Sequence, residues 1–296
     1  MTKLKVAPLA DRGVVRVSGA DAAKLLQGLI TADLDRLAGQ PAIFAGLLTP
    51  QGKILFDFFV VKSEGEFLLE TARDKAADLA KRLTFYKLRA NVAIADVSAG
   101  CAVAALWGDP QPAIGSPAVI YQDPRLAELG WRGIAPGSFD WVVGARDAVA
   151  ASEAEHHAHR IRLGVPEGGR DYALGDAFPH EALFDQIGGV NFDKGCYIGQ
   201  EVVSRMEHRS TARKRVVPIA GTGPLQAGAD VKAGEATIGT VGSVAEDRGL
   251  ALLRLDRVGE ALGKGQAITA GGVPITVKLP PWVRFAIPGH EETARA

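Results

Sequence analysis

The feature that most limits how this chain can fold is a change of texture near Thr211 to Val216. From Gly221 to Gly272 short runs of Val, Ile and Leu are punctuated by closely spaced glycines. That punctuation suits a small all-β barrel or sandwich, in which each strand ends in a tight turn. Upstream, strands alternate with amphipathic helices instead. A chain of 296 residues is also long enough for two compact units, since single hydrophobic cores rarely grow past about 250 to 300 residues. The break therefore reads as a domain boundary, with residues 1–213 forming one region and 214–296 a small C-terminal all-β barrel or sandwich.

In the upstream region, Val14 to Val17 reads as a strand. Ser18 and Asp21 then form an S-x-x-D helix start, with Leu25, Leu26, Leu29 and Ile30 on one face. Apolar runs at Ile43 to Leu48 and Ile54 to Val61 flank Thr49-Pro50-Gln51-Gly52, a reversal between antiparallel strands. Thr71 and Asp74 repeat the capping pattern before Ala76, Leu79, Ala80 and Leu83. Val92 to Val97 and Ala102 to Trp107 follow as strands. Pro110, Pro112 and Pro117 mark the stretch from Trp107 to Tyr121 as a loop, and an S-x-x-E box at Ser152 and Glu155 opens a helix that Gly164 and Pro166 end. Hairpin connections with isolated helices predict an α+β body, an antiparallel sheet covered on one face by helices.

Hydrophobic residues at 47% and charged residues at 23% describe an ordinary globular chain. Thirty-four Lys and Arg balance thirty-four Asp and Glu, so no long-range field draws the protein to nucleic acid or to an acidic membrane, and a polyanion would need a local patch. The opening MTKLKVAPLADRG lacks the apolar core of a signal peptide, and no apolar run approaches the roughly 18 residues of a membrane span. These features lead to the expectation of a cytoplasmic protein with no membrane partner. Two cysteines, Cys101 and Cys196, are too few for a disulfide scaffold or a self-contained zinc or iron–sulfur site. Cys101 lies in the apolar run CAVAALW and reads as core.

Chemistry concentrates in Gly188 to Arg205, GGVNFDKGCYIGQEVVSR. Gly195 before Cys196 allows positive φ or close approach of a ligand, and the Lys194 ammonium would stabilise a thiolate. Gln200 and Glu201 add an amide and a carboxylate just beyond the thiol. The alternative is a tight turn around a buried cysteine, the usual fate of a lone thiol.

The segment KGCYIGQE, Lys194 to Glu201, closely resembles the signature of the YgfZ family, folate-binding relatives of the aminomethyltransferase (T-protein) of the glycine cleavage system. Lys194, Gly195, Cys196, Tyr197, Gly199, Gln200 and Glu201 meet that pattern without a gap. GADAAKLLQGLITADL, PQGKILFDFFVV, FYKLRANVAIADVS, HRIRLGVP and GLALLRLD also resemble family blocks, in family order. The resemblance implies a T-protein-like folate-binding body of antiparallel sheets, followed by a small barrel. It further implies tetrahydrofolate or a one-carbon-substituted reduced folate as cofactor, and a role in maturing or repairing iron–sulfur enzymes, with their client or assembly proteins as partners.

On that resemblance Cys196 and Lys194 are the catalytic candidates, and Asp57, Arg160, Tyr197, Gln200, Glu201 and Arg205 the folate-binding candidates. A carboxylate can accept the paired N–H donors of a pterin edge, and Asp57 best matches the acid that lies near folate in T-proteins. Its alternative is a surface carboxylate on an edge strand. Arg160 or Arg205 could hold the folate carboxylates, or each could be a solvated arginine. A conventional aminomethyltransferase remains the competing enzyme reading, though the KGC motif favours the maturation factor. The basic strip Arg205, Arg209, Arg213, Lys214 and Arg215 leaves tRNA as a minor alternative, weakened by the absence of interleaved aromatics. His156, His157 and His159 invite a metal reading, since His156 and His159 lie one helical turn apart, but a wet helix face is the simpler reading.

Overall fold

A computed structural model describes residues 3–109, 118–138, 148–209 and 213–290. The chain divides into two compact units. One comprises Met1–Pro50, Leu55–His156 and Ile187–Gln200; the other comprises Gln51–Ile54, His157–Gln186 and Glu201–Ala296.

The first unit holds two five-stranded sheets. One is built from β1 (Lys5–Pro8), β7 (Cys101–Trp107), β8 (Val119–Gln122), β9 (Trp131–Pro136) and β10 (Val149–Ala150), in the order β10-β1-β7-β9-β8. The other is built from β2 (Arg12–Ser18), β3 (Ala42–Leu48), β4 (Ile54–Ser63), β5 (Glu66–Ala72) and β6 (Ala93–Asp96), in the order β3-β4-β5-β2-β6. Pairing is antiparallel from β2 to β5 and β6, while β1 meets the short β10 in parallel. Part of the proline-rich stretch, residues 110–117, lies outside the described residues.

Helix α1 is Ala22–Gln27, and α2 is Arg73–Lys87. In α2, Ala76, Leu79, Ala80 and Leu83 recur at helical spacing and are buried against the core that also holds Val15, Phe58 and Leu69. Neither helix uses its expected cap. Asp21 accepts from the Asn91 amide at 2.7 Å, and Thr71 belongs to β5, where its hydroxyl donates to the Asp57 carbonyl at 2.9 Å. The box before α3 (Glu153–Leu163) does form: the Glu155 amide donates to the Ser152 hydroxyl at 3.2 Å, and the Ser152 amide donates to the Glu155 carboxylate at 2.9 Å. Leu88 ends α2 with φ 45° and ψ −109°, a conformation that costs a residue with a side chain about 1–3 kcal/mol.

The two sheets of this unit share a buried charged cluster. Glu70 on β5 accepts from Arg12 at 3.0 Å and from the Tyr121 hydroxyl at 2.6 Å, and Arg132 binds both of its oxygens. Arg125 grips Asp123 through two bonds of 3.0 and 2.8 Å and lies over the Phe59 ring. Burial opposes the charge on Glu70, yet Arg132 and Arg12 hold its pKa below the ordinary carboxylate value. Every acceptor direction is filled, so the cluster ties the sheets together.

In the second unit, β11 (Lys214–Gly221), β12 (Asp230–Ala233), β13 (Ala236–Ala245), β14 (Arg248–Arg254), β15 (Ile268–Ala270) and β16 (Val273–Val277) close a barrel in the order β11-β14-β13-β12-β15-β16. Val217, Ile219, Val241 and Leu253 fill it with Val258 of α5 (Leu255–Gly263). Alternate strand residues face inward, which is what the glycine-punctuated runs require.

Candidate functional site

The 188–200 segment belongs to the first unit and is held from three directions. Asn191 donates its amide to the Thr31 carbonyl at 2.9 Å, and its side-chain oxygen accepts from the amides of Asp193 and Lys194 at 2.7 and 3.1 Å. The Thr31 hydroxyl donates to the Gly189 carbonyl at 2.5 Å and accepts from the Gly46 amide at 2.7 Å. Downstream, Tyr197 is buried and Ile198 packs on the core containing Leu26 and Leu79. Gly199 then turns at φ +83°, which a side chain would resist, and α4 (Gln200–Arg209) begins.

Between these anchors Gly195 and Cys196 are exposed. The thiol is therefore not the buried cysteine of the alternative reading. A Cβ on Gly195 would meet no atom within 4 Å among the described residues, so the fold itself makes no demand for glycine there.

Lys194 does something other than flank the thiol. Its ammonium donates to the carbonyls of Gln27, Ile30 and Ala32 at 2.8, 2.8 and 2.9 Å, closing the end of α1. An ammonium has three protons, so none is left over to donate to the Cys196 sulfur. Burial pushes its pKa down to about 8, while Asp33 and Asp35 help keep the proton on. Burial likewise pushes the Tyr197 phenol up to about 12, so it stays a neutral hydroxyl. The Gln200 side-chain oxygen accepts from the Tyr197 amide at 3.4 Å. Glu201 and Arg205 are both exposed on α4.

Asp57 lies on β4, between β3 and β5, and is only 6% exposed. The edge-strand surface alternative thus fails: Asp57 is an interior carboxylate of the first unit. Arg160, in the second unit, is 1% exposed. Its guanidinium donates to the Val165 carbonyl at 2.7 Å, to Asp171 at 2.6 Å and to the Ser243 hydroxyl at 2.8 Å, and its Nε lies 3.3 Å from Glu167. It is a buckle within its own unit, not a solvated arginine.

Three further expectations change. His156 and His159 are buried, not wet. Arg215 turns inward to Asp185 and the His180 carbonyl, at 2.9 and 3.0 Å, which breaks the basic strip; the Arg209 side chain lies outside the described residues. Cys101 is half-buried at the start of β7, and burial raises its thiol pKa. The sequence reading missed Thr31 and Asn191. Asn191 was detectable, because N-x-D-K-G is a pattern in which an Asn side chain bonds the backbone two residues on.

The model of the GCVT N-terminal domain matches residues 5–143, and that of the CAF17 C-terminal β-barrel domain matches residues 213–285. The human iron–sulfur cluster assembly factor IBA57, mitochondrial, is 33% identical over 302 residues, covering 93% of this chain and 84% of that protein. The chain belongs to the IBA57 family. The mouse IBA57 is also 33% identical, covering 84% of this chain and 77% of that protein. The IBA57 homolog of Mycosarcoma maydis is 35% identical over 74% of this chain, which spans only 59% of that longer protein. Among solved structures, the glycine cleavage system aminomethyltransferase T of Bartonella henselae superimposes with a TM-score of 0.77 at 16% identity, covering 95% of this chain and 87% of that one. The fold is thus that of the T-protein, with a closed C-terminal barrel. These IBA57 relatives are named as mitochondrial, which overturns the expectation of a cytoplasmic protein. No helix among the described residues is long and apolar enough to cross a membrane.

Proposed function

We propose that this protein assists the assembly, maturation or repair of iron–sulfur enzymes, with Cys196 as the group that meets the client and a reduced folate as its bound cofactor, as in YgfZ-like proteins. The observation that carries this reading is the presentation of Cys196. Lys194, Asn191 and Tyr197 are all spent on anchoring the segment, and what they hold out to solvent is a bare Gly195-Cys196 pair. A chain that needed the cysteine only for packing would not leave it exposed. The names of the IBA57 relatives point to the same process.

The residues present fit a folate in part. Asp57 is a buried carboxylate of the kind that accepts paired pterin donors. Arg160 is engaged by Val165, Asp171 and Ser243 within its own unit, which makes it a poor candidate for an anionic tail. A bound reduced folate would supply one-carbon chemistry. The contribution of this chain is to bind it and to keep the Cys196 loop in place. The domain limit that accompanies this reading is 213/214.

A melting series with tetrahydrofolate tests the cofactor. Stabilisation of about 2.7 kcal/mol is expected at a hundredfold excess over the dissociation constant, and less with Asp57→Asn. A melting temperature that no reduced folate moves at any concentration removes the folate from the proposal.

A further inference from the structure

Helix α2 ends in the two most exposed large apolar side chains among the described residues, Phe85 at 72% and Leu88 at 86%. Phe85 lies on the last turn of α2 and Leu88 is the residue that ends it, and the Tyr86 ring meets Phe85 edge-on at 5.6 Å. The backbone of Leu88 adopts a conformation that glycine takes far more readily, and it does so to point a leucine outward. Exposure and strain at one position do nothing for folding. Strain of this kind clusters at active sites, ligand clamps and switch regions.

The surroundings specify what that contact looks like. From Leu79 to Arg89 the chain holds four cations and no acid. Lys87 is turned back to the Val92 carbonyl at 2.8 Å. Lys81 and Arg82, one turn before Phe85, and Arg89, next to Leu88, are exposed and in no ion pair among the described residues. In a chain with no net charge, this is a local positive rim around an apolar knob. A second copy of the chain would bring the same positive rim against it, so charge favours a different, acidic partner.

Position links the knob to the thiol. The turn after Leu88 is fastened to the start of α1, where the Asp21 amide donates to the Asn91 carbonyl at 3.3 Å and the Asn91 amide donates to Asp21 at 2.7 Å. Lys194 grips the other end of α1 through Gln27. A six-residue helix is about 9 Å long, so both features are fixed to one short rod within one unit.

We infer that Phe85 and Leu88 are the anchors by which a cysteine-bearing iron–sulfur carrier or client docks beside Cys196, through an apolar pocket bordered by carboxylates. The inference rests on the proposed function for the identity of the partner. Two side chains cannot form a whole interface, which takes about 1,200–2,000 Å², but an aromatic and an aliphatic anchor with steering charges are the usual energetic centre of one.

The test places a photo-crosslinker in the full-length chain in cells, as Phe85→p-benzoylphenylalanine. Irradiation should give an adduct that mass spectrometry assigns to an iron–sulfur carrier or client, and Arg82→Glu with Arg89→Glu should abolish it. The variant Phe85→Ser/Leu88→Ser should lower cellular iron–sulfur enzyme activity at least fivefold with melting temperature and folate binding unchanged. The absence of an adduct, an adduct to phospholipid or to a second copy of the chain, or wild-type activity in the serine variant overturns the docking surface. If Cys196→Ala is defective and no adduct forms, only the docking surface falls. If the adduct forms but Cys196→Ala has wild-type activity, the surface stands and the role of the thiol falls.

Discussion

Arg160 and Lys194 are both buried cations in segments that the sequence marks for function, and their partners make them different devices. Arg160 meets two carboxylates, Asp171 and Glu167, together with a hydroxyl and a carbonyl. Burial works against its charge, but Asp171 and Glu167 more than offset that and raise its pKa, so it never titrates in the useful range. Lys194 meets three neutral carbonyls. With no carboxylate in direct contact, burial wins and brings its pKa to about 8. One cation is a permanent buckle; the other is a titratable clamp beneath an exposed thiol. What separates them is the charge of the acceptors, not the depth of burial.

The comparison breaks most visibly at Arg160. Arg160→Met leaves the buried Asp171 without its cation, while Glu167 keeps Arg170 at 3.7 Å, and should cost about 3–5 kcal/mol, read from the urea midpoint; a loss below about 1 kcal/mol would mean that the pair contributes little. Lys194→Met sharpens the comparison through pH. Below pH 8 Lys194 is protonated in both folded and unfolded states, and its burial penalty is fully present. Between about 8 and its ordinary value of 10.5, the folded chain sheds a proton that the unfolded chain keeps, so the contribution of Lys194 to stability becomes more favourable as pH rises. The stability of the wild type minus that of Lys194→Met should therefore climb across that window by up to about 3 kcal/mol, less to the extent that solvent screens the ammonium, whereas a flat difference would show that Lys194 is not depressed.

A matched pair of glycines gives the smallest effects. A Cβ on Gly242 would fall 2.7 Å from the Asp171 carboxylate and 2.8 Å from its Cα, so Gly242→Ala should cost about 1–3 kcal/mol by overpacking beside Arg160. Gly195→Ala has open space and should change stability by less than about 0.5 kcal/mol. Equal costs in thermal melts would erase the contrast between a closed region and an open one.

Much of the fold was legible because it rests on local patterns. The glycine-punctuated runs announced a small all-β unit, barrel or sandwich, and the S-x-x-E box at Ser152 formed as written. The boxes at Ser18 and Thr71 did not form, since Asp21 and Thr71 were recruited by Asn91 and Asp57, partners 70 and 14 residues away along the chain. Such competition between local and distant acceptors leaves no trace in spacing. The same holds at the site. The glycine-rich, polar surroundings of Cys196 argued for exposure but left a buried thiol open, and the task of Lys194 depends on three carbonyls more than 160 residues upstream. Asp57 could be matched to a family position, yet its burial is set by β3 and β5 on either side of β4. Arg160 looked available because Asp171, Glu167 and Ser243 give no sequence signal of convergence.

All of this turns on whether the sulfur held out at position 196 takes part in iron–sulfur maturation. The direct measurement is the activity of iron–sulfur enzymes in cells whose only copy of this protein carries Cys196→Ala, alongside tetrahydrofolate affinity of the purified variant. The account predicts a several-fold fall in enzyme activity with folate affinity within about twofold of wild type, a difference of about 0.4 kcal/mol or less. Wild-type enzyme activity, or an equal loss of both, would contradict it.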